Sequence, residues 1–137
     1  MNRQIFPRLA LVAGVLVVAT VGWAKTYHMT SMTAVPGAAG EVNVAKEKNG
    51  NIQIDVNVTH LAKPGMLTPA ANTYIVWLQQ EGSDPQSQGE LKVGNDLKGE
   101  LKSTTTLNHF NVMITAETDS QTKTPSDEVV LRAAVQE

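Results

Sequence analysis

Short runs of alternating apolar and polar residues make up most of the chain after residue 41. The clearest is residues 52–60, in which every second position is apolar: Ile52, Ile54, Val56 and Val58. Successive side chains of a β-strand point to opposite faces, so this period of two predicts a strand with one buried and one solvated face. The central run, residues 73–80, is apolar on both faces, as expected for a strand inside a sheet.

Seven such segments are separated by turn signals at spacings of roughly eight to twelve residues. They cover residues 41–46, 52–60, 73–80, 89–93, 97–103, 109–117 and 129–135. Asn49-Gly50, between the first two, is the pair preferred in two-residue hairpin turns. No segment of this region has a helical period. The pattern predicts an all-β fold, an antiparallel immunoglobulin-like β-sandwich of about seven strands, with a six-stranded barrel as the competing architecture.

The first 24 residues have the three parts of a secretory signal. A positively charged start precedes an uncharged apolar run at residues 9–21, and Gly22 and Ala24 place small residues before a cut at Lys25. The apolar run is shorter than the about 20 residues that a bilayer span needs. We therefore expect a cleaved signal helix at residues 1–24, with an uncleaved membrane anchor as the alternative.

Residues 25–40 are small, polar and interrupted by Pro36 and Gly37, with a period of neither 2 nor 3.6. Such a composition is typical of a loop or linker. The expected organisation is a signal peptide at 1–24, a flexible tether at 25–40 and a β-sandwich domain at 41–137.

Charge and cysteine content narrow the possible functions. Without Arg3 and Arg8 the mature chain has nine basic and 13 acidic residues, a net charge of −4. The charges are dispersed, which disfavours nucleic acid, because its recognition needs clustered Lys and Arg. Adhesion to anionic lipid is disfavoured for the same reason, so contact with a membrane is expected only through an uncleaved N-terminal segment. The absence of cysteine excludes disulfides, thiol catalysis and thiolate metal sites.

From Tyr74 to Val135 the strand order and several single residues resemble the extracytoplasmic C-terminal domain of anti-sigma-K factors. The resemblance rests on a Tyr-x-x-Trp-Leu strand containing Trp77, a Gly-led strand, a strand ending in Thr-x-Glu at Glu117, and a loop containing Pro125. It implies a sandwich outside the cytoplasm. It does not imply sigma-factor binding, because the eight residues before the apolar run contain no His/Cys zinc signature.

Tyr74 and Trp77 pose the main question about a binding surface. They lie three positions apart, so in a strand their side chains point to opposite faces. Either residue could belong to a ligand surface. We favour Trp77 in the core between the sheets, since a buried Trp on a central strand is common in sandwiches.

His28, Met29 and Met32 form an HMxxM cluster that suggests a soft metal site, because imidazole and thioether groups suit copper. Chance occurrence in a tether is the simpler interpretation. His60 and His109 lie at strand ends, too far apart in sequence to make a recognisable ligand spacing.

No catalytic motif, phosphate-binding loop or dinucleotide fingerprint is present. The acidic residues fall mostly on turns or wet faces, and residues 119–128 lack the dense alternating ligands of a calcium loop. Asn57-Val58-Thr59 matches a glycosylation acceptor but lies inside a predicted strand. We expect no catalytic residues and no cofactor.

The leading hypothesis is an exported, non-enzymatic β-sandwich, periplasmic or extracellular. It would act as a binding, interaction or structural module whose partner is a protein or another component of the bacterial cell envelope. A periplasmic copper-binding protein using His28, Met29 and Met32 is the alternative. A hydrolase on a sandwich scaffold is a third hypothesis, and it requires a cleft with converging polar groups.

Overall fold

The computed structural model describes residues 24–137, so nearly all of the predicted signal, residues 1–23, lies outside the described residues. The described chain forms nine strands and a single 3₁₀ turn, Pro64–Met66. The strands are β1 Lys25–His28, β2 Thr30–Ser31, β3 Ala39–Lys46, β4 Ile52–Thr59, β5 Thr73–Gln79, β6 Gln86–Leu91, β7 Gly99–Thr105, β8 His109–Glu117 and β9 Val129–Gln136. Within this part of the chain, none of the helical structure could cross a bilayer.

The strands form two antiparallel sheets. One has four strands in the order β1-β3-β4-β7, and the other has five in the order β2-β9-β8-β5-β6. The chain therefore changes sheet five times, between β1 and β2, β2 and β3, β4 and β5, β6 and β7, and β7 and β8. The prediction of an all-β fold with two packed antiparallel sheets is confirmed.

The main core lies between the sheets and follows from the period-two pattern. The apolar residues of β4, from Ile52 to Val58, are all at most 1% exposed. They belong to one cluster with Tyr74, Val76 and Leu78 of β5 in the other sheet. Burial of this apolar area, at roughly 25 cal/mol per Å², is the main stabilising contribution in a chain without disulfides.

The expected count of seven strands is wrong, because β1 and β2 precede the seven predicted ones. They belong to residues 25–40, where we expected a flexible tether. β1 pairs with β3, and β2 pairs with β9, so this segment contributes an edge strand to each sheet. The tether interpretation is therefore wrong for residues 25–31. Their backbone pairs with β3 and β9, although their side chains do not alternate between apolar and polar.

Three isolated apolar side chains fix this N-terminal segment. Met29, Val35 and Ala38 are 9%, 5% and 8% exposed, and all three belong to the inter-sheet core. Gly40 leaves room for Met29, since a Cβ at Gly40 would lie 2.9 Å from the Met29 Sδ. Tyr27 also joins the segment to the C-terminus, because its Oη lies 2.6 Å from the Gln136 carbonyl oxygen.

The hairpin between β3 and β4 differs in detail from the expected two-residue turn. The Glu47 amide donates to the Asn51 carbonyl oxygen, and the Gly50 amide donates to the Glu47 carbonyl oxygen. Gly50 has a φ of 87°, whereas Asn49 is not in the left-handed region. The loop thus has three residues and ends in a left-handed glycine, which is the second common hairpin form.

Candidate functional site

Tyr74 lies in the core and does not contribute to a ligand surface. Its side chain is fully buried between the sheets, and its hydroxyl donates a 2.6 Å hydrogen bond to the Ala62 carbonyl oxygen. Burial raises the pKa of Tyr74 from 10.0 to about 12. The hydroxyl therefore ties the loop after β4 to β5, and it stays protonated throughout the physiological pH range.

The raised pKa of Tyr74 predicts a loss of stability at alkaline pH. The unfolded chain releases this proton at about pH 10 and the folded chain only at about pH 12. Stability is thus fully present below pH 10 and falls as the pH rises toward 12. Chemical denaturation at pH 8 to about 12 should show this fall for the parent. It should show a smaller fall for Tyr74→Phe, and an equal fall in both proteins would contradict the assignment to Tyr74.

Trp77 is buried on the other face of the same strand. It is 0% exposed and packs with Ile75 and Met113 in a second, smaller cluster. This cluster lies on the outer face, which we define as the face of the five-stranded sheet turned away from the four-stranded sheet. The structure therefore agrees that Trp77 is buried, but its expected place between the sheets is wrong. That place is taken by Tyr74, Val76 and Leu78.

A chain of hydrogen bonds, here called the Trp77–Ser126 chain, connects Trp77 to the loop of residues 118–128. Trp77 Nε1 donates to Thr115 Oγ1 at 2.7 Å, and Thr115 Oγ1 donates to Glu117 Oε2 at 3.0 Å. The Ser126 amide donates to both carboxylate oxygens of Glu117, at 3.1 and 3.0 Å. Ser126 Oγ also donates to the Ala116 carbonyl oxygen. Thr115 and Glu117 are buried, so the chain satisfies polar groups that would otherwise be costly.

The HMxxM residues do not converge on a metal site. His28 is exposed on β1, with Nδ1 3.6 Å from Glu41 Oε1. Met29 points the opposite way, into the core, and its thioether packs against Gly40. Met32 is half-buried and donates its backbone amide to Val130. The geometry therefore gives no support to the copper hypothesis.

The remaining candidate ligands are also dispersed. His60 and His109 are exposed, and no group of three or more His, Asp or Glu side chains in residues 24–137 is arranged to hold a metal ion. In the loop suggested for calcium, Asp119 accepts a hydrogen bond from the Gln121 amide and serves as a turn residue. Asn57 lies inside β4, where its backbone pairs with β3 and β7.

A polar groove is present on the outer face beside the Trp77 cluster. It has a volume of about 310 Å³, and its lining includes Thr30, Gln79, Asn111, Met113, Arg132 and Ala134. These residues follow from the strand register. Met113 and Thr30 are both paired with Arg132, and Asn111 is paired with both Gln79 and Ala134. Directly paired residues share a face of the sheet, so their side chains lie side by side.

The groove extends along β8 and β9. An adjoining pocket of about 110 Å³ shares Asn111 and Ala134 and is also lined by Glu81, His109 and Gln136. The small side chain of Ala134 lies between longer ones, which leaves the depression. We call the two together the outer-face groove. It was missed from the sequence, where its residues appear as the ordinary polar positions of alternating strands.

Neither a scan against protein-family models nor a search of curated proteins finds a match to this sequence.

Proposed function

We propose that the protein is an exported, non-enzymatic immunoglobulin-like β-sandwich that acts as a binding module in the bacterial cell envelope. The outer-face groove is the observation that carries this proposal. Hydrogen-bonding side chains from four strands, β2, β5, β8 and β9, border one open depression there. Ligand sites typically combine such a concave surface with a few placed polar groups.

The position of the first strand supports export. β1 begins at Lys25, which is the residue after the predicted signal cleavage site, and Lys25 Nζ lies 3.7 Å from Glu137 Oε2. Cleavage before Lys25 would therefore release the sandwich with its first edge strand intact. The coincidence of cut site and strand start is expected if residues 25–137 are the mature domain.

Strand order supports the immunoglobulin-like type. The strands β3 to β9 can be lettered A to G in chain order. With β1 and β2 set aside, A, B and E (β3, β4 and β7) form one sheet, and G, F and C (β9, β8 and β5) are neighbours in the other. This is the order of strands A, B and E against G, F and C in immunoglobulin-like sandwiches. The fourth strand, β6, pairs with β5 here instead of joining the first sheet.

The Trp77–Ser126 chain gives the family resemblance a structural explanation. Trp77 and Glu117, two of the residues that carry the resemblance to anti-sigma-K factors, belong to this chain, and Pro125 precedes Ser126. We propose that these residues mark a shared way of fastening the loop of residues 118–128. In that case the resemblance concerns fold and location, and the binding surface is separate from it.

Site-specific photo-cross-linking in living bacteria tests the proposed function. A photoreactive amino acid replaces Ala134 in the outer-face groove or, as a matched control, the exposed Thr104 on the four-stranded sheet. We expect cross-linked adducts in the envelope fraction for the Ala134 variant and few or none for the Thr104 variant. N-terminal sequencing of the same material should begin at Lys25.

Two results would contradict the proposal. Equal adducts at both positions would show that the groove is not a specific binding surface, and full-length protein confined to the cytoplasm would exclude export. If the exported protein begins at Met1, the proposed binding function still holds, and residues 1–24 serve as a membrane anchor instead of a cleaved signal.

A further inference from the structure

Arg132 is the one Lys or Arg side chain among the residues that line the outer-face groove. It is the only arginine in residues 24–137 and lies exposed on β9. The three ion pairs of the described residues involve Lys25, His28 and Lys102, so Arg132 has no carboxylate partner there. Its cross-strand neighbours, Met113 and Thr30, are uncharged. The groove thus contains a cation without an ion-pair partner, and its one carboxylate, Glu81, lies in the adjoining pocket that His109 also lines.

The groups around Arg132 restrict the ligand that could neutralise it. A guanidinium presents its N–H donors as a planar fork that matches a carboxylate, and the two form paired hydrogen bonds. Beside it, Thr30 offers a hydroxyl and Asn111 an amide that can both donate and accept. The Gln79 Nε2 donates to the Ser83 carbonyl oxygen at 3.1 Å, so Gln79 offers mainly its Oε1 as an acceptor. A ligand with a carboxylate next to peptide-like groups would satisfy all of these side chains.

The shape of the groove favours a peptide terminus over an acidic sugar. The depression runs along β8 and β9 from Arg132, past Asn111 and Ala134, toward His109. This elongated path suits an extended chain. Its lining contains no exposed Phe, Tyr or Trp side chain on which a sugar ring could stack, since Phe110 is 4% exposed and packs in the inter-sheet core.

We propose that the outer-face groove binds the C-terminal carboxylate of a peptide, with Arg132 as the group that recognises the carboxylate. This inference rests on the proposed binding function and names the ligand class for the same site. Asn111 and Gln79 would contact the amide groups that precede the terminus. Met113 would contact a small apolar side chain next to it.

Titration of residues 25–137 with N-acetyl-alanyl-alanine, followed by NMR, tests the inference. N-acetyl-alanyl-alaninamide is the matched ligand without a carboxylate, and galacturonate represents an acidic sugar. We expect the peptide acid to bind and to shift the signals of Asn111, Met113 and Ala134. The amide should bind at least about tenfold more weakly, because a hydrogen bond to a charged group is worth about 1.5–3 kcal/mol.

Substitutions then assign the effect to one side chain. Arg132→Gln should weaken binding of the acid by at least about tenfold. Arg132→Lys should cause an intermediate loss, because lysine keeps the charge without the fork. Lys102→Gln removes a positive charge on the other sheet and should change nothing.

Each contrary result has a definite meaning. Equal binding of acid and amide, unchanged binding by Arg132→Gln, or no binding of the acid at millimolar concentration would overturn carboxylate recognition. Stronger binding of galacturonate would overturn the peptide assignment. If the titration gives one of these contrary results but photo-cross-linked adducts still form at Ala134 in cells, only the proposed ligand class is wrong. If no adducts form there, the binding function itself fails.

Discussion

Replacing Trp77 with alanine is expected to lower the free energy of unfolding by about 3–5 kcal/mol. The side chain is fully buried with Ile75 and Met113, and the loop of residues 118–128 is fastened beside it through Thr115 and Glu117. Removing the indole leaves a cavity and also removes the donor to Thr115 Oγ1. A domain of this size has about 5–15 kcal/mol of stability in total, so the variant should be near its folding limit. Urea denaturation of the two proteins measures the difference.

Thr115→Val separates the hydrogen bonds from the packing in this comparison. Valine keeps the shape of threonine but removes the hydroxyl that links Trp77 Nε1 to Glu117 Oε2. Leaving these buried groups unpaired should cost about 1–3 kcal/mol, less than the loss of the indole. If Trp77→Ala is as stable as the parent, Trp77 is not part of a core.

Deleting residues 25–31 is expected to destabilise the protein by about 2–5 kcal/mol from the loss of Met29 alone. Met29 belongs to the inter-sheet core, and the deletion also removes the β1 and β2 ladders and the contact of Tyr27 with Gln136. The melting temperature should fall by at least about 8 °C. Thermal unfolding monitored by circular dichroism provides the measurement.

Substitution of single residues provides the control for this deletion. Met29→Leu keeps the volume of the side chain and should cost less than about 1.5 kcal/mol. His28→Ala, on the exposed face of the same strand, should be close to neutral. A deletion variant that melts within a few degrees of the parent would show that the segment is a tether in solution.

Alternating apolar residues predict β3, β4, β8 and β9. By contrast, β6 and β7 each contain a single leucine, Leu91 and Leu101, and they begin three residues before and two residues after the predicted segments. Alternation failed for β1 and β2, since β1 has four residues and β2 only two, and the chain changes sheet between them at Met29. A crossing of this kind breaks the period before it can be recognised. In the sequence alone, the inward-facing Met29 therefore looks like a member of a chance cluster with His28 and Met32.

The position of Trp77 shows a second limit of the pattern. Alternation correctly places Tyr74 and Trp77 on opposite faces of β5, but both faces are apolar, so the pattern cannot tell which one meets the other sheet. On the outer face, the buried indole N–H of Trp77 is satisfied through Thr115 Oγ1, which in turn donates to Glu117. The outer-face groove was hidden for a similar reason: Asn111, Gln79 and Arg132 are far apart in sequence and are brought together only by the strand register.

The central claim is that both aromatic side chains of β5 are structural, so that binding takes place elsewhere on the sheet. Acrylamide quenching of tryptophan fluorescence in residues 25–137 tests it most directly, because Trp77 is the only tryptophan after Lys25. We predict strong protection of the native protein, which urea should abolish, and no change in protection when a carboxylate peptide fills the outer-face groove. Quenching of the native protein as efficient as that of the unfolded chain would contradict the claim and make Trp77 itself the first candidate for a binding surface.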